Sequence, residues 1–152
     1  MLNPDYRDIL SAFENAGVEY LLVGAYALAA HGQPRATGDI DLWVRPTSEN
    51  AERLMLALKE FGAPLSQVDK EDFQTPDVVF QIGVSPRRID ILTSIKGVEF
   101  ESAWADRLEV ELDGVVIPVL SREHFIQNKK ALGRTQDLAD VERLLGGNGE
   151  QG

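Results

Sequence analysis

Apolar residues recur along this chain with two different periods. Ile9, Leu10, Phe13 and Ala16 share one face at helical spacing; Asn3 and Pro4 ahead of them read as N-cap and first helical residue, and Gly17 as the stop. "VEYLLV" (18–23) is a short apolar run that predicts a buried strand, broken by Gly24, and "AYALAAHG" predicts a short helix ending at Gly32. "DIDLWV" (39–44) alternates and predicts a second strand closed by Pro46. Ala51, Leu54, Leu58 and Phe61 return to helical spacing over about 48–61, capped by Thr47 and stopped by Gly62. Residues 63–77 are polar with two prolines and read as a loop. "VVFQIGV" (78–84) and "RRIDILTSI" (87–95) predict paired strands turned at Ser85-Pro86, and "LEVEL" and "VVIPVL" flank the hairpin signal Asp113-Gly114. Two helices follow, about 121–132 capped by Ser121 and about 135–145 capped by Thr135. This order predicts one α/β or α+β domain over residues 1–146 with a mixed sheet, and "GNGEQG" reads as a disordered tail, 147–152.

Within the second strand, alternation puts Asp39, Asp41 and Trp43 on one face and Ile40, Leu42 and Val44 on the other, toward the core. Acids at i and i+2 stand roughly 7 Å apart at Cα, since each residue rises ~3.4 Å. Without a cation they repel and one tends to protonate; hard oxygen ligands of this kind suit Mg²⁺ or Mn²⁺. The alternative is a strand end with one acid solvated and the other bonded to loop amides. Asp90 lies between Ile89 and Ile91 in another apolar strand, and reaches the pair if the two strands are neighbours. Three strand-borne carboxylates around two metals suit phosphoryl transfer, with Asp90 as base for an incoming hydroxyl. The competing reading of Asp90 is an edge-strand acid paired with Arg87 or Arg88. Gly24-Ala25, where a strand gives way to a helix, leaves room for backbone N–H groups to approach a phosphate.

Composition narrows the field. The 152 residues carry 15 basic and 25 acidic side chains, a net charge of −10, which argues against binding nucleic acid through a broad basic surface. There is no cysteine, so thiolate metal sites, disulfides and cysteine nucleophiles are excluded. The first ten residues lack the basic and apolar regions of a signal peptide, and the longest apolar run, 20–30, is far short of the ~20 residues a bilayer span needs; a cytoplasmic protein is expected.

Together these residues resemble the nucleotidyltransferase superfamily with the DNA polymerase β-like fold. Its signature is a strand, Gly-Gly or Gly-Ser opening a short helix, about a dozen residues, then Asp-x-Asp, and a third acid on a later strand. "LLVGAYALAAHGQPRATGDIDLWV" keeps that order, with 13 residues between Ala25 and Asp39. Its wording, and the C-terminal "KKALGRTQDLADVERL", look most like small bacterial AbiEii toxin-type nucleotidyltransferases. The resemblance implies a mixed-sheet fold flanked by helices with a C-terminal helical pair, and transfer of an NMP from an NTP to an acceptor hydroxyl with Mg²⁺ or Mn²⁺. It implies Asp39, Asp41 and Asp90 as metal ligands and catalytic acids, and Gly24 and Ala25 along the triphosphate. Arg35, Lys129, Lys130 and Arg134 would neutralise phosphate charge, and a cognate toxin or antitoxin protein would be a partner. Two departures stand out: Ala25 replaces the usual second Gly or Ser and offers no hydroxyl, and Gln136-Asp137 stands where Lys-Asp is common. A solvated helix face is the competing reading of Lys129 and Lys130, and a first-turn dipole partner that of Asp137. A nucleotide-binding or partner-binding module without turnover is the rival function.

Overall fold

The computed structural model describes residues 2–32 and 38–151, the last five of these through their backbone alone. Helix α1 (Pro4–Ala16) opens as expected: Asn3 accepts the Tyr6 N–H at 2.9 Å, Pro4 fills the first turn, and Gly17 closes it in the left-handed region. Strand β1 (Tyr20–Val23) runs directly into α2 (Gly24–Ala30), and β2 (Ile40–Val44) leads to α3 (Ser48–Phe61), capped by Thr47 and Gly62. Strands β3 (Val79–Ile82) and β4 (Ile89–Leu92) are shorter than their apolar runs. After α4 (Phe100–Ala105) comes the hairpin β5 (Leu108–Leu112) and β6 (Val115–Val119), then α5 (Arg122–Leu132) and α6 (Thr135–Gln151).

Two elements depart from the sequence reading. The polar stretch read wholly as loop holds a 3₁₀ turn, Lys70–Gln74, whose Phe73 is buried edge-on against Phe80. Helix α4 has the short i, i+3, i+4 stripe Phe100, Ala103, Trp104, too brief to stand out beside the strands around it. Helix α6 also differs at both ends. It starts on Thr135 with the Asp137 carboxylate accepting the Arg134 N–H at 3.2 Å, and it runs on past residue 145.

The six strands form one mixed sheet in the order β3-β4-β2-β1-β6-β5, the α/β architecture expected. Strand β2 is antiparallel to β1 and parallel to β4, while β1 is parallel to β6. One face carries Tyr20, Leu22, Leu42, Val44, Ile91 and Phe80; Phe13 of α1 packs on Tyr20 there, and Ile40, Leu42 and Val44 are completely buried. The opposite face carries Asp41, Asp90 and Trp43. Trp43 is covered by Phe100 of α4, edge to face at 5.0 Å. Helix α5 docks beside this second face: Asn128 and Gln127 donate to the Lys96 and Gly97 carbonyls, and a side chain on Gly97 would press on Ala131 at 2.6 Å.

Candidate active site

The site grows from one row of the sheet. Parallel pairing puts Asp41 of β2 directly opposite Asp90 of β4, with Val23 and Gln81 continuing the row on either side. Two carboxylates therefore stand side by side in the middle of one row, and Asp90 is only 7% exposed. Gly24 leaves the space that Asp41 fills. Its φ of +72° is a left-handed turn, and a Cβ there would overlap Asp41 Oδ2 and stand 3.1 Å from Asp41 Cγ.

Burial first, and then the neighbouring Asp90, push the Asp41 carboxyl up from 3.8 to about 7, against the pull of Lys129 in the opposite direction. Since the folded value lies above the unfolded one, ionising Asp41 costs the fold, and its contribution is lost as pH rises from about 4 to about 7. In chelator, the wild type is therefore expected to lose more melting temperature between pH 5 and pH 8 than Asp41→Asn, and parallel thermal melts of the two check this.

Asp39 sits just before β2 and is held differently. It accepts the Ser85 hydroxyl at 2.7 Å and the Arg88 backbone N–H at 3.0 Å, and the Ser85 bond leads the causes that lower its pKa. The Arg88 guanidinium grips both oxygens of Asp90, Nε to Oδ1 at 2.7 Å and Nη2 to Oδ2 at 3.1 Å, with Nη2 also 3.4 Å from Asp39 Oδ2. Beneath, the Tyr6 hydroxyl donates to the Gly38 and Arg88 carbonyls, tying together the chain segments that enter β2 and β4. Burial, with Tyr26 and Asp39 nearby, pushes its pKa up to about 12, so it stays a neutral donor. Gly38 is needed for the close pass: a Cβ there would stand 2.7 Å from Pro86 Cβ.

The basic candidates separate. Lys129 is buried, with Nζ 3.4 Å from Asp137 Oδ1 and 5.2 Å from the Phe125 ring centre, and its charge is felt by Asp41. Lys130 is exposed on the next position of the helix. Arg134 is engaged by the buried Asp137, Nε to Oδ2 at 2.5 Å and Nη2 to Oδ1 at 3.1 Å. Arg35 lies outside the described residues. Ala25 follows Gly24 in the first turn of α2 and is half-buried. Tyr6, Ser85 and Gly38 were not singled out from sequence. Arg88 entered only as a possible partner of Asp90, although the i, i+2 alternation that joins Asp39 to Asp41 also joins Arg88 to Asp90.

A divalent cation suits this donor set. Asp41 is a half-buried carboxyl set against another carboxyl, Gly24 puts no side chain against its Oδ2, and all the donors are hard oxygens. As the side chains stand, no three acids or histidines among the described residues converge on one point. Asp41 meets Asp90, while Asp39 is drawn to Ser85 and Arg88.

Two solved structures share the fold along nearly their whole length. One is a protein of Thermotoga maritima assigned to the nucleotidyltransferases: TM-score 0.60, 22% identity, 96% of each chain covered. The other is the lincosamide antibiotic adenylyltransferase LnuA with lincomycin bound: TM-score 0.61, 18% identity, 95% of this chain and 96% of that one covered. No curated protein matches the chain by sequence. No helix among the described residues is long and apolar enough to cross a membrane. The model of the family described as "nucleotidyl transferase of unknown function (DUF2204)" matches residues 3–150, and the chain belongs to that family of enzymes.

Proposed function

We propose that this nucleotidyltransferase moves an NMP from an NTP to an acceptor hydroxyl with the help of Mg²⁺ or Mn²⁺. The observation that carries the reading is the parallel register that sets Asp41 beside Asp90 over the gap left by Gly24. Asp41 and Asp90, with Asp39 alongside, would hold the metal, which supplies charge neutralisation for the triphosphate and the departing pyrophosphate. Gly24 and Ala25 would line the triphosphate. Lys129 is the leading phosphate cation, ahead of Lys130, Arg134 and Arg35, because it alone of the described three is felt by Asp41. The acceptor oxygen forms a bond to the α-phosphorus as the bond from that phosphorus to the β-phosphate oxygen breaks. Pyrophosphate leaves with the electron pair, and the hydroxyl proton passes to the Asp90 carboxylate.

Within the superfamily we place the chain with the small bacterial AbiEii toxin-type enzymes, acting in the cytoplasm beside a cognate toxin or antitoxin protein. The wording around Asp39 and Asp41 favours that placement. The antibiotic substrate class of LnuA makes a small-molecule hydroxyl the first acceptor to try, followed by RNA ends and protein hydroxyls. With α-³²P-labelled NTPs and Mg²⁺ or Mn²⁺, label is expected on one acceptor class, with pyrophosphate release, and neither in chelator nor with Asp39→Asn. Transfer that survives both would place the chemistry elsewhere.

A nucleotide-binding module without turnover is the second reading. Ala25, which has no hydroxyl, and the hold of Arg88 on both Asp90 oxygens favour it. Calorimetry showing tight NTP–Mn²⁺ binding, with no pyrophosphate released over the acceptor panel, would select it.

A further inference from the structure

Arg88 stands where the acids need positive charge. Its guanidinium takes both Asp90 oxygens and reaches Asp39, so neither acid presents a free oxygen pair toward the other. Two cations face the acids among the described residues, and they are built differently. Lys129 is buried, its side chain 10% exposed, against an Asp137 that is itself 1% exposed. The Arg88 side chain is 30% exposed. Its main chain is fixed independently: the N–H holds Asp39 and the carbonyl accepts from Tyr6. The guanidinium can therefore leave Asp90 by side-chain rotation alone, with both backbone anchors in place.

We propose that Arg88 is an internal counter-ion that holds the place of a divalent cation at Asp90 and Asp39 and gives it up when a metal arrives on a polyphosphate. The inference rests on the metal-dependent reading above. A bare cation that takes Asp90 leaves the guanidinium with only water. A cation carried by a triphosphate brings the guanidinium a new anion, and planar two-point contact with phosphate oxygens suits arginine. Metal and nucleotide then bind with positive coupling that passes through one side chain, and the coupling is reciprocal.

The test is Mn²⁺ binding, followed by electron paramagnetic resonance and calorimetry, with and without an α,β-methylene NTP analogue. In the wild type the analogue is expected to tighten Mn²⁺ binding about 5-fold or more, within the usual range of such couplings. Arg88→Gln is expected to bind Mn²⁺ alone about 5–10-fold tighter than the wild type and to lose most of the enhancement by the analogue. Arg88→Lys, which keeps the charge but not the fork, should lie between them. Arg87→Gln removes the same charge from an exposed neighbour and is expected to leave both numbers unchanged. Equal Mn²⁺ affinity in wild type and Arg88→Gln overturns the inference alone, as does an equal gain in Arg87→Gln. If Arg88→Gln fails to fold, independent binding of Mn²⁺ and analogue in the wild type also overturns it. Mn²⁺ that binds neither wild type nor variants, with or without analogue, overturns this inference and the metal-dependent reading together.

Discussion

Asp41→Asn is expected to cut nucleotidyl transfer by about 10³-fold or more and, in chelator at pH 7.5, to leave the protein as stable as the wild type or more so by about 1–2 kcal/mol. The two signs come from one cause. Asp41 is half-buried beside Asp90, so its ionised form is a liability to the empty fold. An asparagine of the same shape removes the charge and can donate its amide to Asp90. Neutralisation of the phosphates, worth several kcal/mol in such reactions, is lost with the ligand. Turnover with a responsive acceptor and chemical denaturation on the same preparations measure both effects. A variant that is several kcal/mol less stable would show that the two acids do not oppose each other, and undiminished transfer would remove Asp41 from the active site.

Gly24→Ala is the second large effect expected. The left-handed φ of +72° alone costs a non-glycine residue about 1–2 kcal/mol. The added methyl must also displace an acid whose Cγ and Cβ stand 3.1 and 3.3 Å from it, so rotating the carboxylate end does not relieve the overlap. Together these should lower stability by about 2–4 kcal/mol and abolish detectable Mn²⁺ binding. Ala25→Ser, one residue on and at a half-buried position, should stay within about 0.5 kcal/mol of the wild type. If denaturation showed the two substitutions to be equally mild, the gap at Gly24 would not be what shapes the acid pair.

Local rules carried much of this fold because its punctuation is local. Asn3, Thr47 and Ser121 cap where caps were expected, and the Asp113-Gly114 turn joins β5 to β6. The shared face of Asp41 and Trp43 follows from alternation alone. Which strands would be neighbours did not follow: β2 and β4 are separated by α3, the 63–77 segment and β3, and only their parallel pairing brings Asp90 to Asp41. Lys129 and Lys130 were inseparable for a related reason. Adjacent helix positions point about 100° apart, and which one faces the sheet depends on how α5 docks at Lys96 and Gly97. Tyr6 carries no local signal, since its two acceptors lie 32 and 82 residues away.

Those long separations have a kinetic side. The Tyr6 bond to Arg88 closes 82 residues of chain, and the Asp39 bond to the Arg88 N–H closes 49. Contacts of that span form late, after the helices and the β5–β6 hairpin can form from near neighbours. A chain growing from its N-terminus holds Asp39 and Asp41 long before β4 exists to receive them. Nucleotide affinity should therefore appear as a step only once β4 has paired and α5 has brought Lys129 to the acids, so a bound nucleotide would mark a nearly finished molecule among half-folded ones.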